Sequence, residues 1–299
     1  MHHSLSWLEA GTIGLLQGVT ELFPVSSLGH SVLVPAVVGG SWARDLNVRT
    51  PESPYLAFIV GLHVATAIAL IVYFWRDWLR LIRGLGTSIA SRRIITADER
   101  LAWLLVLATI PVGIVGLVAE HAFRTTLSRP VPTALFLMAN GLVLLWIERA
   151  RRGTADSEYV DERVSGPASD RRLAPMRVPK AVAIGSAQIL ALAPGISRSG
   201  VTTSAGLAAG LDREDAARFS FLLATPVILA AGVLKLGDLA GPLGDGIRPQ
   251  VVFGSVLSGV GAYLSVRFLT RYLANRSLRP FGAYCLAAGA ACLIWFAVR

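Results

Sequence analysis

Residues 55–75 read YLAFIVGLHVATAIALIVYFW and contain no Asp, Glu, Lys or Arg. A helix needs about 20 apolar residues to cross the hydrocarbon core of a bilayer, and this run has that length. Of the 299 residues, 54% are hydrophobic and 16% are charged, and the mean hydropathy is +0.58. Soluble domains have about 25% charged residues. The composition therefore excludes an ordinary soluble globular protein and indicates a chain that crosses a membrane several times.

Five further runs have the same apolar character. They are residues 102–119, 132–147, 219–236, 251–266 and 281–298. A segment in lipid has to satisfy its own backbone hydrogen bonds, so we predict that all six runs are transmembrane α-helices. The expected fold class is an all-α polytopic membrane protein. The N-terminus lacks the charged region and cleavage site of a signal peptide, and we expect it to belong to the mature structure.

The formal net charge of +9 is spread over blocks between the apolar runs. Arg-rich blocks occupy residues 76–100, 148–180 and 267–279. Such blocks do not form one basic patch for nucleic acid, and the positive-inside rule places them in the cytoplasm. We therefore expect a multi-pass protein of the inner (plasma) membrane with no nucleic-acid partner. Residues 155–179 are polar and without periodicity, which predicts a flexible loop between two halves.

Two segments, residues 7–40 and 181–211, are broken near the middle by proline and small polar residues. Each arm has roughly a dozen residues, and at 1.5 Å per residue an arm of 13 extends only ~20 Å. The hydrocarbon core is ~30 Å thick. We therefore predict two re-entrant helical hairpins, one in each half, whose tips stop near the midplane.

Counting crossings from the cytoplasmic blocks makes the first hairpin enter from outside and the second from inside. The chain then reads as one membrane domain, residues 1–299, with an inverted-topology repeat. Residues 1–150 form the first repeat, 151–179 a polar cytoplasmic linker, and 180–299 the second repeat. VSSLG at 25–29 matches ISRSG at 196–200 with an offset of 171 residues. In such folds the broken helices of both halves meet at mid-membrane and form the site.

Ionisable residues inside the hydrocarbon are functional candidates because they are expensive to bury. Here they are Glu21, His30, His63 and Arg198. Arg198 stays protonated and needs an anion, which we expect to be Glu21 of the other hairpin or a ligand. A purely structural ion pair is the alternative. We interpret His63, within a crossing helix, as an interhelical hydrogen-bonding residue.

Hydroxyl side chains crowd both breaks, and each of them alone is typical of a helix cap. They are Ser26, Ser27, Ser197, Ser199, Thr202 and Thr203. Together with two half-helix N-termini, whose N–H groups are free, they predict a cradle for an anion of phosphate size.

The polar residues around this cradle suffice for phosphoryl transfer. Gln17 and Glu21 are four apart and share a helix face. Arg198 would neutralise phosphate oxygens, and His30 would act as acid, base or nucleophile. Glu21 would orient His30 or, with Gln17, bind a divalent cation such as Mg²⁺ or Ca²⁺.

Two sequence motifs resemble signatures of the undecaprenyl pyrophosphate phosphatases linked to bacitracin resistance. QGVTELFPVSSLGH at residues 17–30 resembles the first, and LAPGISRSGVT at 192–202 resembles the second. The hydropathy resembles this family from end to end. The resemblance implies hydrolysis of the terminal phosphate of undecaprenyl diphosphate, an isoprenyl diphosphate lipid, to the monophosphate used as the carrier in peptidoglycan synthesis.

The resemblance carries the family's site residues over in three groups. The metal-assisted acid cluster corresponds to Gln17 and Glu21, and the active-site serine and histidine to Ser27 and His30. The phosphate-binding arginine loop corresponds to Ser197, Arg198 and Thr202. The adjacent Ser26 and Ser199 are further candidates for substrate binding. Leu28 departs from the pattern, since a small residue is expected there, and the polar linker is longer than expected.

Several alternatives stay open at this point. The nucleophile is Ser27 activated by His30, His30 itself, or a metal-bound water. A protein of a different class, an inverted-repeat transporter or lipid flippase, would bind the same anion without cleaving it. The hairpin orientation predicts a pocket that opens to the extracytoplasmic face, and the formation of a homodimer is undecided.

Four polar or thiol residues outside the hairpin tips complete the predictions. Cys285 and Cys292 are seven apart in one helix and are expected to be free packing thiols. Asn140 and Gln188 are interpreted as interhelical polar contacts.

Overall fold

The computed structural model describes residues 5–46, 54–151, 167–241 and 246–298. Within these ranges every regular element is a helix, which confirms the predicted all-α class. The α-helices are Trp7–Leu22 (α1), Ser27–Val38 (α2), Gly40–Asp45 (α3), Pro54–Tyr73 (α4), Trp75–Ser91 (α5), Ala97–Leu127 (α6), Pro130–Ala150 (α7), Pro167–Leu173 (α8), Val178–Ser186 (α9), Arg198–Ala208 (α10), Arg213–Ala240 (α11), Arg248–Asn275 (α12) and Arg279–Val298 (α13). A 3₁₀ helix, Ala187–Leu192, continues α9.

Five helices in the described residues are long and apolar enough to cross a membrane. These spans are Ala97–Ala119, Pro130–Ala150, Arg213–Val233, Arg248–Asn275 and Arg279–Val298. A sixth results if α4 and α5, which meet at an angle of 86°, count as one bent span. Apolar side chains such as Leu117 and Val118 are 72% and 82% exposed, which suits contact with lipid. The chain is a multi-pass membrane protein.

The structure adds a helix that the hydropathy pattern does not reveal. α5 occupies most of the predicted basic loop, residues 76–100. Its apolar residues are separated by Arg80 and Arg83, so a running average of hydropathy hides its amphipathic periodicity. The first crossing helix also ends at Tyr73, slightly earlier than predicted, because the chain bends at Phe74.

Part of the predicted flexible loop, residues 167–173, is a short helix that is docked against the protein. Residues 152–166 lie outside the described residues, but α8 follows at once, and its Asp170 is fully buried. The Asp170 carboxylate accepts hydrogen bonds from Arg218 Nε at 3.0 Å and Arg80 Nη2 at 2.6 Å. The prediction of a loop was wrong for residues 167–173, because arginines from two distant helices anchor this short segment.

The two halves of the chain interlock through glycine contacts. α1 packs against α12 where Gly14 meets Gly254, and α7 packs against α13 where Gly141 meets Gly282. A Cβ added at Gly14 or Gly141 would overlap the facing backbone. Small residues allow helices in lipid to approach this closely. These contacts place the two broken segments side by side, whereas the division into inverted repeats stays a prediction.

Candidate active site

The first break separates α1 from α2 at residues 23–26. Pro24 has no N–H and cannot continue α1. Ser26 has a φ of 68°, in the left-handed region that non-glycine residues rarely adopt. Its Oγ accepts hydrogen bonds from the N–H of Gly29 at 3.1 Å and of Gly195 at 3.2 Å. The backbone of Ser26 is therefore strained, at a position where the side chain links the first break to the second.

The second break lies between the 3₁₀ helix and α10, at residues 193–197. Gly195 has a φ of 107°, and a Cβ there would overlap the Thr133 carbonyl oxygen, so the turn requires glycine. Ser197 caps α10, since its Oγ accepts a hydrogen bond of 3.2 Å from the Gly200 N–H. Both predicted breaks are thus interruptions of helix, each followed by a serine-capped N-terminus.

Glu21 is the centre at which the predicted residues meet, and it is only 7% exposed. Its Oε1 accepts a hydrogen bond of 2.9 Å from Arg198 Nη2, which confirms the predicted partner. Its Oε2 accepts hydrogen bonds from Gln17 Nε2 at 2.9 Å and Ser27 Oγ at 2.5 Å. A carboxylate that holds a serine hydroxyl and a guanidinium together can accept the serine proton while the guanidinium binds an anion.

His63 of α4 reaches the same cluster. Its Nε2 lies 3.2 Å from Gln17 Nε2 and 3.5 Å from Glu21 Oε2. Its Nδ1 lies 2.9 Å from the Ile59 carbonyl oxygen of its own helix. His63 is therefore an interhelical hydrogen-bonding residue as predicted, but its partners are site residues.

His30 lies at the first break, but its contacts differ from those expected of a base for Ser27. Its Nδ1 is 2.7 Å from the Ser26 carbonyl oxygen, and its Nε2 is 2.7 Å from the Tyr284 hydroxyl of α13. In the described part of the chain no hydrogen bond joins His30 to Ser27. Tyr284 was not among the predicted residues, and a tyrosine in an apolar span offers no sequence signal for such a contact.

The other predicted hydroxyls face the protein's own backbone. Ser197 Oγ and Ser199 Oγ are 3.1 Å apart, and they lie 3.4 Å and 3.2 Å from the Phe23 carbonyl oxygen. Thr202 Oγ1 donates a hydrogen bond of 2.7 Å to the Arg198 carbonyl oxygen. These contacts hold the two breaks together and fix the backbone that carries Arg198.

Two polar atoms at the site are buried and have no hydrogen-bond partner among the described residues. They are Gln17 Oε1 and Arg198 Nη1. Buried polar atoms are nearly always satisfied in folded proteins, so each such atom calls for an explanation. An amide oxygen that can face a cation and a guanidinium nitrogen that can face an anion suit a ligand carrying phosphate and a metal ion.

The predicted interhelical amides have different outcomes. Asn140 is fully buried on α7 and contacts both breaks. Its Nδ2 donates a hydrogen bond of 2.9 Å to the Pro24 carbonyl oxygen, and its Oδ1 accepts one of 3.0 Å from the Ser197 N–H. Gln188 donates instead to the Gly185 carbonyl oxygen of its own segment, at 3.2 Å. Cys285 and Cys292 are free thiols, as predicted.

Known proteins resemble this chain over almost its whole length. The family model described as "Bacitracin resistance protein BacA" matches residues 10–291. A protein of Mycolicibacterium paratuberculosis named undecaprenyl-diphosphatase is 60% identical over 301 residues, with 99% of each chain covered. One of Mycobacterium avium with the same name is 59% identical over 305 residues and covers 100% of each chain.

A more distant relative gives the same result. A protein of Frankia casuarinae named undecaprenyl-diphosphatase 1 is 50% identical over 368 residues, with 99% of each chain covered. The match to the family model and these full-length identities show that the chain belongs to the bacitracin resistance protein BacA family.

Proposed function

We propose that this protein is an undecaprenyl-diphosphatase, which hydrolyses undecaprenyl diphosphate to undecaprenyl phosphate and inorganic phosphate. The observation that carries the proposal is the contact of Glu21 with both Ser27 and Arg198 across the two breaks. This contact places a hydroxyl, a proton acceptor and an anion-binding group together. A relative with this name is 60% identical, with 99% of this chain covered.

The first step is attack of Ser27 Oγ on the terminal phosphorus of the diphosphate. Glu21 Oε2, 2.5 Å from Ser27 Oγ, takes the hydroxyl proton. The bond between the terminal phosphorus and the bridging oxygen breaks, and undecaprenyl phosphate leaves. Water then hydrolyses the phosphoserine and returns inorganic phosphate and the free Ser27 hydroxyl. Arg198, through the buried Nη1 that has no partner among the described residues, binds the oxygens of the transferred group.

His30 is assigned a positioning role in this scheme. Its Nδ1 contacts the carbonyl oxygen of Ser26, the residue directly before Ser27. Its Nε2 is engaged by Tyr284. Because Glu21 already holds the Ser27 hydroxyl, Glu21 is the proton acceptor and His30 orients the peptide that presents the nucleophile.

A divalent cation, Mg²⁺ or Ca²⁺, fits the residues at this site. Gln17 Oε1 is an oxygen donor with no partner among the described residues, and Glu21 supplies a carboxylate. In the described residues there is no cluster of three or more His, Cys, Asp or Glu that could hold a metal. Mg²⁺ is commonly bound by one or two carboxylates together with substrate phosphates, which matches this sparse set. When bound, the cation neutralises charge on the diphosphate.

The remaining features of the proposal concern location. The Arg-rich blocks favour the inner membrane with those blocks in the cytoplasm, and the site then opens to the extracytoplasmic face. Removal of one phosphate there recycles the lipid carrier of peptidoglycan synthesis. The proposal includes a contribution to bacitracin resistance, which the family description names.

Phosphate release by purified protein in lipid nanodiscs tests the proposal. We expect wild type to release inorganic phosphate from undecaprenyl diphosphate, and Arg198→Ala to lose at least about 100-fold in rate. Arg76→Ala is the matched control, since Arg76 is an exposed arginine stacked on Trp75. Binding of the lipid by wild type without any phosphate release would instead identify a carrier.

The cation is tested separately by binding. Mn²⁺, used as a spectroscopic probe for Mg²⁺, should give an electron paramagnetic resonance signal of bound metal when the diphosphate lipid is present. Gln17→Leu should weaken this binding, because it removes the buried amide oxygen. Equal Mn²⁺ affinity in wild type and Gln17→Leu would exclude Gln17 as a ligand.

A further inference from the structure

The side chain of Asn140, which lies outside both hairpins, bridges the two breaks. Asn140 lies near the middle of α7 and has no exposed surface. Its Oδ1 accepts a hydrogen bond of 3.0 Å from the Ser197 N–H, and its Nδ2 donates one of 2.9 Å to the Pro24 carbonyl oxygen. One amide group therefore connects the backbone of the first break to the backbone of the second.

The two backbone groups that Asn140 holds are groups that the helix ends leave unpaired. Pro24 follows the end of α1, and Ser197 is the N-cap of α10. Polar groups at helix ends need partners from elsewhere when they are buried. Asn140 therefore binds the backbone at Pro24, three residues before Ser27, and at Ser197, one residue before Arg198.

We infer that Asn140 is a positioning residue that sets the distance between Ser27 and Arg198. The inference rests on the proposed function, because it treats these two side chains as the nucleophile and the phosphate-binding group. Without the bridge, Ser27 and Arg198 would still meet at Glu21. The backbone segments at Pro24 and Ser197 would, however, no longer be held at a fixed distance from each other. A shift of about 1 Å in such groups can lower a rate 100-fold.

The chemistry of the bridge requires one donor and one acceptor on the same short side chain. Asparagine supplies both at every pH. Aspartate has nearly the same shape, but its carboxylate is acceptor-only when ionised and would face the Pro24 carbonyl oxygen without a proton between them. Protonated aspartic acid has a hydroxyl donor and a carbonyl acceptor, so it can restore both hydrogen bonds.

The surroundings of position 140 allow this test to be interpreted. Ionisable groups on the elements packed against α7 near the breaks are Cys285 and Tyr284 on α13, His30 on α2 and Arg198 on α10. Cys285 contacts Asn140 directly, with Nδ2 and Sγ 3.4 Å apart. Burial penalises the charged form of an introduced aspartate, and a lower pH favours the neutral form that can make both hydrogen bonds.

The experiment measures kcat and KM of Asn140→Asp for undecaprenyl diphosphate between pH 5 and 9, divided at each pH by the wild-type values. We expect kcat of the variant to be about tenfold or more below wild type at pH 9, and to rise towards wild type as the pH falls. KM should change less than kcat. A ratio that is independent of pH, or a loss confined to KM, would overturn the inference.

Two further variants keep the result decisive. Cys285 is a neighbour whose Sγ lies 3.7 Å from the Pro24 carbonyl oxygen, and among the described residues it has no hydrogen bond to the second break. The kcat of Cys285→Ala should therefore stay within about threefold of wild type. If Asn140→Asp does not fold, Asn140→Ser replaces it, because a single short hydroxyl cannot make both bonds. Full activity of Asn140→Ser would overturn the inference.

Failure of the proposed function gives a different result. No phosphate release by wild type would overturn both proposals together. Release by wild type that is lost in Arg198→Ala, combined with a ratio for Asn140→Asp that does not depend on pH, would overturn the role of Asn140 alone.

Discussion

Arg198 Nη2 donates a hydrogen bond of 2.9 Å to Glu21 Oε1, although the two residues are 177 positions apart in the chain. The pair joins α10 to α1, and the two side chains are 12% and 6% exposed. Burial removes water from both charges, so each depends on the other. Removing one partner of such a pair is far more damaging than replacing both.

This dependence predicts a difference between single and double variants at the pair. Arg198→Ala should lower the free energy of unfolding by about 3–5 kcal/mol, because it removes the guanidinium that compensates the buried charge of Glu21. The double variant Arg198→Met with Glu21→Gln should recover most of that stability and none of the activity. Thermal unfolding in detergent measures the first effect, and phosphate release measures the second. A double variant no more stable than Arg198→Ala would show that the ion pair does not account for the loss.

Ser27→Ala should abolish turnover, with a loss of about a thousandfold or more, because it removes the proposed nucleophile. Ser31→Ala is the matched control, since Ser31 is a buried serine one turn further along α2 and lies outside the site. Rapid acid quenching of wild type should trap a phosphoenzyme that survives acid and maps to Ser27. An acid-labile phosphoenzyme would instead identify His30 as the nucleophile.

Gly18→Ala should destabilise the protein by about 1–3 kcal/mol, because the added Cβ would overlap the Ser258 backbone of α12. Gly116→Ala serves as the control, since no atom lies within 4 Å of a Cβ at that position. Thermal unfolding midpoints of the two variants measure the difference. Equal midpoints would indicate that α1 and α12 separate easily and that their contact does not stabilise the fold.

Asp170→Asn should also be strongly destabilising, by about 3–5 kcal/mol, because Arg218 and Arg80 lose a buried carboxylate. Asp212→Asn should change stability by less than about 1 kcal/mol, since the Asp212 side chain is 72% exposed and lies 3.9 Å from Arg151. Unfolding measurements on both variants test whether the docking of α8 is a structural element of the fold. Similar small effects would indicate that α8 contributes little.

Much of the site could be predicted because its residues carry strong local signals. An arginine in an apolar hairpin needs an anion, and the reasoning that selected Glu21 for Arg198 is confirmed by their hydrogen bond. The positions of the breaks follow from Pro24 and from the Pro194–Gly195 pair, because proline cannot continue a helix and glycine adopts the positive φ that the second turn needs.

Other features gave no usable local signal. α5 is hidden by the arginines within it, and α8 is a short polar helix that is held by residues far away in the chain. The hydrogen bond from Tyr284 to His30 joins residues 254 positions apart. The amide of Asn140 could be recognised as an interhelical contact, but its partners at the two breaks are backbone atoms, which the sequence does not distinguish from any others.

The amino-acid order alone settled that the chain is helical and crosses a membrane, where its helices break, and which charged residues have to find partners. These properties depend on hydropathy, on the geometry of proline and on the expense of burying charge, all of which act within a few residues. The folded arrangement of α1, α2, α7 and α10 decided which hydroxyl faces Glu21, and that Asn140 bridges the two breaks. Such contacts depend on distances between segments far apart in the chain, and only the folded arrangement sets those distances.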